Sequence, residues 1–197
     1  MAKQYDRAYF DRWHRGKTPV TSRAEVARKV ALAVSTAEYF LRRRLRSVLD
    51  IGCGEGAWLP HLRALRPPVS YLGLDPSEYV VERFGKSRHI RRAAFGDLAS
   101  LKLERRFDLI VCSDVLHYVP EREIRAGVRE IVRLLEGVAF IEVLTREDDI
   151  LGDLQSLTRR SADWYRDVFS NAGLVPAAPY CWLAPSLHIF TAEFERP

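Results

Sequence analysis

The segment that most constrains this chain is SVLDIGCGEGAW, at residues 47–58. It contains a short apolar run with an acid inside it, Asp50, and then glycines at Gly52, Gly54 and Gly56. A short apolar run that ends in glycines is typical of a buried strand followed by a tight turn. If a helix follows, the turn brings backbone N–H groups and the helix N-terminus toward one point. The segment therefore predicts a strand, a turn and a helix, with a ligand against the bare backbone of the turn.

Downstream of this segment, short apolar runs alternate with helical patterns. This rhythm is typical of a doubly wound parallel sheet with helices on both faces, so we expect an α/β fold. Two last runs, 174–183 and 186–195, are separated by Ala184 and Pro185 and predict a hairpin that makes the final strand antiparallel. The other strands are expected at 47–52, 71–75, 107–113 and 137–144, and helices at 77–84, 121–135 and 161–172.

The first 46 residues have a different pattern. Residues 5–15 and 22–45 show helical spacing of apolar residues, and Ser22 to Glu25 has the form of a capping box. We therefore predict an N-terminal helical cap at residues 1–46, ahead of an α/β domain at residues 47–197.

Composition narrows the class of protein. The chain has 197 residues, of which 47% are hydrophobic and 29% charged, as expected for one globular domain. Its polar start and the lack of an apolar run of about 18 residues argue against a signal peptide and a membrane helix. Cys53, Cys112 and Cys181 are far apart, which predicts reduced thiols and a cytoplasmic location.

The formal net charge is +5, and arginines cluster at residues 42–46, 88–92 and 105–106. Such clusters bind phosphates in some proteins and are solvated loops and helix ends in others. Charge alone therefore names no partner.

Two cofactor classes compete for the glycine turn. Gly52, Gly54 and Ala57 match the dinucleotide fingerprint, and Asp75 closes the next strand at about the distance expected of an acid that binds ribose hydroxyls. Dinucleotide cofactors bind such an acid, and so do other nucleoside cofactors. The distinguishing positions are Asp50 and the segment FGD at residues 95–97.

Four segments in order, VLDIGCGEG, GLDPS, FGDL and FDLIVCSDVLHYV, resemble the class I S-adenosylmethionine-dependent methyltransferases of small molecules. The resemblance covers residues 47 to about 144 closely and the first 46 hardly at all. It implies a Rossmann-like sheet of seven strands with the last antiparallel, S-adenosyl-L-methionine as cofactor and S-adenosyl-L-homocysteine as product.

The resemblance also implies roles for single residues. Asp75 would accept both ribose hydroxyls, and Pro76 would pack on the adenine. Asp97 and the backbone N–H of Leu98 would bind adenine. Near the methionine part of the cofactor and its methyl group, the resemblance implies Asp50, Gly52, Cys53, Gly54, Gly56, Ser113 and Asp114.

The reaction itself requires alignment and exclusion of water more than a nucleophile. If the acceptor is a hydroxyl or a protonated amine, a base is needed, and His117 is our candidate, with Asp114 beside the methyl group. Alternatively, His117 could form part of the pocket wall without taking part in catalysis. A divalent metal would need acids such as Asp114, Asp148 or Asp149, but their spacing is unfamiliar, so we predict no metal site.

Segments outside the motifs have open roles. By the resemblance, the aromatic and basic residues at 5–15 would form a lid over the cofactor, and residues 145–163 would cover the substrate. Ordinary helix packing explains the aromatics as well. Trp164, Tyr165 and Trp182 either roof the acceptor pocket or belong to the core.

The expected partner is a small-molecule acceptor, methylated on oxygen or nitrogen. A nucleic-acid methyltransferase would show Asn/Asp-Pro-Pro-aromatic after the fourth strand, where this chain has Ser113, Asp114, Val115 and Leu116. A binding protein without turnover and a nicotinamide enzyme are the remaining alternatives.

Overall fold

The computed structural model describes residues 5–15, 21–149 and 153–190. Short 3₁₀ turns lie at Phe95–Asp97, Leu116–Tyr118 and Pro185–Phe190. The helices and strands in chain order are α1 (Arg7–Trp13), α2 (Arg23–Leu41), β1 (Ser47–Ile51), α3 (Trp58–Leu65), β2 (Ser70–Asp75), α4 (Glu78–Arg88), β3 (Ile90–Arg92), β4 (Phe107–Ser113), α5 (Glu121–Leu134), β5 (Leu135–Glu142), α6 (Ala162–Asn171), β6 (Val175–Ala178) and β7 (Cys181–Leu183).

The sheet has seven strands in the order β3-β2-β1-β4-β5-β7-β6. Strands β1 to β5 pair in parallel, whereas β7 runs antiparallel to both β5 and β6. The predicted mostly parallel seven-stranded sheet with an antiparallel last strand is confirmed. The strand order reverses between β1 and β4, and the carboxyl ends of strands at such a point form the usual ligand crevice of an open α/β sheet.

Both faces of the sheet are covered by helices, and the central strands β1, β4 and β5 are buried along most of their length. Leu49 and Ile51 of β1 pack toward α5 and α6, whereas Val48 packs toward α2 and α3. The buried residues of α2, which include Val30 and Val34, lie against β4 and β5. The helix α2 therefore belongs to the core of the α/β unit.

The predicted hairpin is displaced. The run 174–183 contains both strands, β6 and β7, with a turn at Tyr180, which has a left-handed backbone (φ 62°). The predicted strand at 186–195 is wrong over residues 186–190, which form a 3₁₀ turn, and residues 191–195 lie outside the described part. Pro185 begins this turn, since its fixed φ suits a helical start and it has no N–H for a sheet ladder.

Two helix ends also differ from prediction, for the same reason. The helix α2 ends at Leu41 instead of residue 45, because Arg42 adopts a left-handed conformation. The helix α4 passes Gly85 and ends at Arg88, before His89 with φ 55°. Gly85 serves close packing: a Cβ there would lie 3.2 Å from the carbonyl oxygen of Ile90.

Three of the helices begin after a serine N-cap. Ser22, Ser77 and Ser161 each accept a hydrogen bond from the backbone N–H three residues later, as N-caps do. Of the three aromatics with an open role, Tyr165 is fully enclosed in the core, and Trp164 and Trp182 pack against the same cluster. Within the described ranges, no helix is long and apolar enough to span a bilayer.

Candidate functional site

The glycine turn lies at the carboxyl end of β1. Gly52, Gly54 and Gly56 all have left-handed φ angles, of 69°, 51° and 76°. A Cβ on Gly52 would lie 2.3 Å from Cγ2 of Val115, so a side chain does not fit there. The turn therefore requires glycine for its conformation and for the close approach of the segment after β4.

The backbone N–H groups of this turn donate within the protein, contrary to the expectation of a turn whose N–H groups face a ligand. Gly52 and Cys53 both donate to the carbonyl of Leu74, at 2.7 and 3.1 Å, and Gly56 donates to the carbonyl of Cys53 at 2.9 Å. The Cys53 side chain is buried below the turn. What the turn offers a ligand is the partly exposed main chain of Gly52 and Gly54, held rigid by these bonds.

Asp75, at the end of β2, is tied directly to the glycine turn. Its Oδ2 accepts from the N–H of Gly54 at 2.8 Å, and its Oδ1 accepts from the N–H of Ser77 at 2.9 Å. Burial raises the pKa of this carboxyl, and the two N–H bonds oppose the rise. Each carboxylate oxygen keeps a second lone pair, so the group can accept two more hydrogen bonds. Pro76, the next residue, is exposed.

Asp50 lies deeper than the sequence suggested. Only 2% of the residue is exposed, and its Oδ2 accepts from the hydroxyl of Tyr71 at 2.7 Å. Burial raises its pKa to about 7; the Tyr71 hydrogen bond lowers it, and the charge of Asp75 adds to the rise. The carboxyl supports the floor of the site beside Asp75.

Asp97 and Leu98 follow β3 in a 3₁₀ turn. The Asp97 carboxylate is at the surface and accepts from the N–H of Ala94 at 2.9 Å, while the Leu98 side chain is fully buried. The surface carboxylate and the backbone at this turn stand beyond the same edge of the sheet as Asp75, because β3 pairs in parallel with β2.

A network of polar and charged side chains lies at the carboxyl ends of β4 and β5. The hydroxyl of Ser113 donates to Oε2 of Glu142 at 2.5 Å, and Oε1 of Glu142 pairs with Nζ of Lys29 at 2.7 Å. Lys29 also pairs with Glu25 at 3.2 Å. The N-terminal part of α2 thus reaches the site through Lys29.

Asp114 stands beside this network. Its N–H donates to the carbonyl of Glu142 at 3.1 Å, and its backbone is left-handed, with φ 64°. Burial raises the pKa of its carboxyl to about 6; the charge of Glu142 adds to the rise and that of Lys29 opposes it. At neutral pH the group is therefore mostly ionised and still able to take a proton.

His117 is enclosed in the structure, with no exposed surface. Its Nδ1 accepts from the N–H of Leu144 at 3.3 Å, and its carbonyl accepts from the N–H of Thr158 at 2.8 Å. Both contacts join the segment after β4 to the chain that follows β5. This position favours the interpretation that His117 supports the wall of the site.

The helix α1 lies over the glycine turn. The ring of Phe10 is buried, and a Cβ on Gly54 would lie 3.3 Å from its Cε1. The hydroxyl of Ser77 donates to the carbonyl of Tyr5, and Arg15 pairs with Glu55 at 3.3 Å. The N-terminal helix and its flanking residues Tyr5 and Arg15 therefore contact the turn and Ser77, the residue that caps α4.

The comparisons with known proteins agree with this geometry. A family model described as "Methyltransferase domain" matches residues 22–185, which is most of the chain. The chain belongs to this methyltransferase family. The predicted class I methyltransferase fold is confirmed.

Curated relatives of this chain match over part of their length. Nodulation protein S of Azorhizobium caulinodans is 31% identical over 98 residues, covering 48% of this chain and 46% of that protein. The malonyl-[acyl-carrier protein] O-methyltransferase of Legionella pneumophila is 24% identical over 139 residues, covering 68% of this chain and 48% of that protein. The chain thus spans about half the length of these relatives.

Solved structures share the fold over more of their length. The sugar N-methyltransferase KedS8 from Streptoalloteichus sp. has a TM-score of 0.65 at 19% identity, with 93% of this chain and 92% of that chain covered. CalS10, an amino pentose methyltransferase from Micromonospora echinaspora solved with S-adenosylmethionine bound, has a TM-score of 0.62 at 20% identity, with 83% and 86% covered.

One observation in particular indicates that the residues of this chain fit S-adenosylmethionine. Asp75 is fixed at the edge of the glycine turn, where a Cβ on Gly52 would clash with Val115. Its remaining lone pairs can accept hydrogen bonds from two ribose hydroxyls. Among the described residues, no group of three or more His, Cys, Asp or Glu side chains could hold a metal ion. Asp148, a candidate ligand, accepts from the N–H and hydroxyl of Thr145, both at 2.8 Å.

The part of residues 145–163 that the structure describes is fastened to the segment after β4. Arg160 donates to the carbonyl of Val119 at 2.9 Å, and the Tyr118 hydroxyl donates to the carbonyl of Asp153 at 2.8 Å. This segment therefore lies beside the 116–119 turn.

Two residues of the site escaped the sequence analysis. Glu142 is an acid at the end of an apolar strand, the same signal that Asp50 and Asp75 gave, and could have been found by it. Lys29 lies within a helix whose polar face carries several charges, so no sequence signal distinguished it.

Proposed function

We propose that this chain transfers the methyl group of S-adenosyl-L-methionine to a small-molecule acceptor, on oxygen or nitrogen. The observation that carries the proposal is Asp75, held by Gly54 and Ser77 at the edge of the glycine turn, in a chain that belongs to a methyltransferase family.

The proposed binding roles are those that the resemblance to class I methyltransferases implies. Asp75 accepts the ribose hydroxyls, Pro76 and Leu98 adjoin the adenine, and Asp97 accepts from its amino group. The segment from Asp50 to Gly56, including Gly52, Cys53 and Gly54, borders the methionine part of the cofactor. Bound S-adenosylmethionine supplies a methyl group on a positively charged sulfur, already activated for displacement.

For the acceptor, this chain supplies orientation and a proton acceptor. Asp114 is the proton acceptor that the site supports best, because its carboxyl adjoins the end of β4 and has a pKa of about 6. Ser113 and Glu142 fix its backbone and surroundings. His117 supports the wall, and a catalytic role for it is tested separately below.

The class of acceptor is proposed from the relatives and the shape of the chain. KedS8 and CalS10, whose chains this one covers almost completely, are named for sugar and amino pentose methylation. We therefore propose a small polar acceptor rather than a nucleic acid, with its reacting group beside the carboxylates Asp114 and Glu142.

We place the lid in α1 alone. The helix α2 is buried against β4 and β5, and the family match begins at residue 22, so α2 is part of the methyltransferase domain. By contrast, α1 meets the turn through Phe10, and the flanking residues Arg15 and Tyr5 contact Glu55 of the turn and Ser77, respectively. The described part of residues 145–163 covers the opposite side of the site.

A cytoplasmic location is proposed from the thiols. Cys53, Cys112 and Cys181 are all free and buried, as is usual in a reducing compartment.

The test is calorimetry followed by a transfer assay. We expect S-adenosyl-L-homocysteine and S-adenosyl-L-methionine to bind the purified chain and NAD not to bind. With the methyl group labelled, an amino sugar, the matched neutral sugar and a single-stranded RNA are offered as acceptors. Label in either sugar supports the proposal. Binding without transfer to any acceptor would leave a binding protein, and label in the RNA alone would make this a nucleic-acid enzyme.

A further inference from the structure

A groove outside the candidate active site lies between α3 and the C-terminal half of α4. Its volume is about 510 Å³, and it is lined by Leu59, Pro60, Arg63, Arg83, Phe84, Ser87 and Arg88. Small-molecule sites usually enclose about 300–1,000 Å³, so the groove has the size of a site for a small ligand.

The charged side chains that line the groove are all positive. Three of its lining residues are arginines, Arg63, Arg83 and Arg88, and none is an acid. Within the described ranges, neither Arg63 nor Arg83 forms an ion pair with a carboxylate. Like charges held close together repel, and an anion between them removes that repulsion. Guanidinium groups are also the side chains best shaped to grip phosphate and carboxylate oxygens.

The floor of the groove is apolar and partly fixed. The guanidinium of Arg88 lies over the Phe84 ring at 4.2 Å from its centroid, and that of Arg83 lies at 5.9 Å. Leu59 is buried beneath. A ligand that fits this surface carries an anionic group for the arginines and an apolar part for Phe84 and Leu59.

One of the three arginines is held in place before any ligand arrives. Nη1 of Arg88 donates to the carbonyl of Glu55, inside the glycine turn. A side chain that is already ordered loses less conformational entropy when it binds, which favours affinity.

We propose that this groove binds a small phosphate ester, with the phosphate among Arg63, Arg83 and Arg88 and the apolar part of the ester on Phe84. This proposal does not depend on the proposed methyl transfer. None of Asp75, Asp97 and Asp114 lines the groove, and binding there needs no cofactor.

The test uses the full chain without S-adenosylmethionine and phenyl phosphate as the probe. Binding is measured by calorimetry and located by amide chemical-shift changes at Phe84 and Ser87. Phenol and inorganic phosphate serve as matched ligands that each lack one half of the probe. We expect phenyl phosphate to bind more tightly than either.

Four variants of exposed arginines make the test specific. Arg63→Gln and Arg83→Gln should each weaken binding of phenyl phosphate by about tenfold, since each removes a charge-assisted hydrogen bond. Arg122→Gln is the control, because Arg122 is an exposed arginine of α5, on the opposite face of the sheet. Arg83→Lys keeps the charge and should keep part of the affinity.

Other results would overturn the proposal. Phenyl phosphate binding no better than phenol, or equally well to the glutamine variants and the wild type, would show that the arginines do not select an anion. If a single-stranded RNA binds through Arg63 and Arg83 and phenyl phosphate does not, the groove is part of a nucleic-acid surface instead.

Discussion

Nζ of Lys29 in α2 lies 2.7 Å from Oε1 of Glu142 at the end of β5, and this ion pair stands beside Asp114. The two partners act on Asp114 in opposite directions: the charge of Glu142 raises its pKa and that of Lys29 lowers it. The pair is only 16% and 14% exposed, so solvent screens it weakly.

This relationship gives a paired prediction for the pH dependence of methyl transfer. If Asp114 is the proton acceptor, activity falls as the pH drops through its pKa. Lys29→Met should move that midpoint up, and Glu142→Gln should move it down, each by about half a pH unit or more. The measurement is kcat/KM against pH. Shifts of both midpoints in the same direction, or no shift in either, would exclude Asp114 as the group that titrates.

Asp75→Ala should weaken binding of S-adenosyl-L-homocysteine by about a hundredfold, because two charge-assisted hydrogen bonds are lost. The same change leaves the N–H groups of Gly54 and Ser77 without their acceptor. Asp163→Ala is the matched control, since Asp163 is an exposed acid of α6. Calorimetry on both variants checks the prediction, and equal affinities would refute the role of Asp75.

The role of His117 can be separated from its structural contact. His117→Ala should lower the free energy of unfolding by about 2–4 kcal/mol, because it leaves a cavity and an unsatisfied N–H on Leu144. His117→Asn offers an oxygen to that N–H and should recover part of the stability. If His117 only supports the wall, turnover recovers along with stability. If it is a base, as the sequence analysis suggested, turnover stays low in the asparagine variant.

Gly52→Ala should cost about 2–4 kcal/mol of stability, from the left-handed backbone and the clash with Val115. Adding Val115→Ala relieves the clash and leaves the backbone strain, so the double variant should recover part of the loss. Urea unfolding of the two single variants and the double variant measures the coupling. Strict additivity would show that Val115 does not limit the space at Gly52.

Asp50 should make the protein less stable as the pH rises from about 4 to about 7. In this window the folded state, with a pKa of about 7, keeps a proton that the unfolded state has lost. Asp50→Asn should reduce the difference in unfolding free energy between pH 5 and pH 8 by about 2 kcal/mol.

Asp108 provides the control for Asp50. Its pKa is lowered below the ordinary range by Arg43, despite its burial, so its contribution to stability changes only at lower pH. Asp108→Asn should therefore leave the difference between pH 5 and pH 8 unchanged. An equal effect of both variants would show that burial of Asp50 is not the cause.

The sequence by itself determined the local elements and the place of the site. The capping-box pattern at Ser22 predicted the start of α2, and apolar runs predicted β1, β2, β4 and β5, because these depend on neighbouring residues and on burial. Glycines on alternate positions predicted the turn at Gly52, since few other residues adopt its φ angles.

Only the tertiary structure decided which groups meet. Arg42, His89 and Tyr180 have left-handed backbones at the ends of elements although none of them is glycine, and the carbonyls of His89 and Tyr180 accept from the N–H groups of Gly73 and Ile141. Packing between elements far apart in the chain forms three contacts of this kind. They are the ion pair of Lys29 with Glu142, the hydrogen bond from the Leu144 N–H to His117, and the hydrogen bond from the Tyr71 hydroxyl to Asp50. The physical reason is that apolar periodicity reports which face of an element is buried, whereas the partner of a buried polar group depends on how the elements pack.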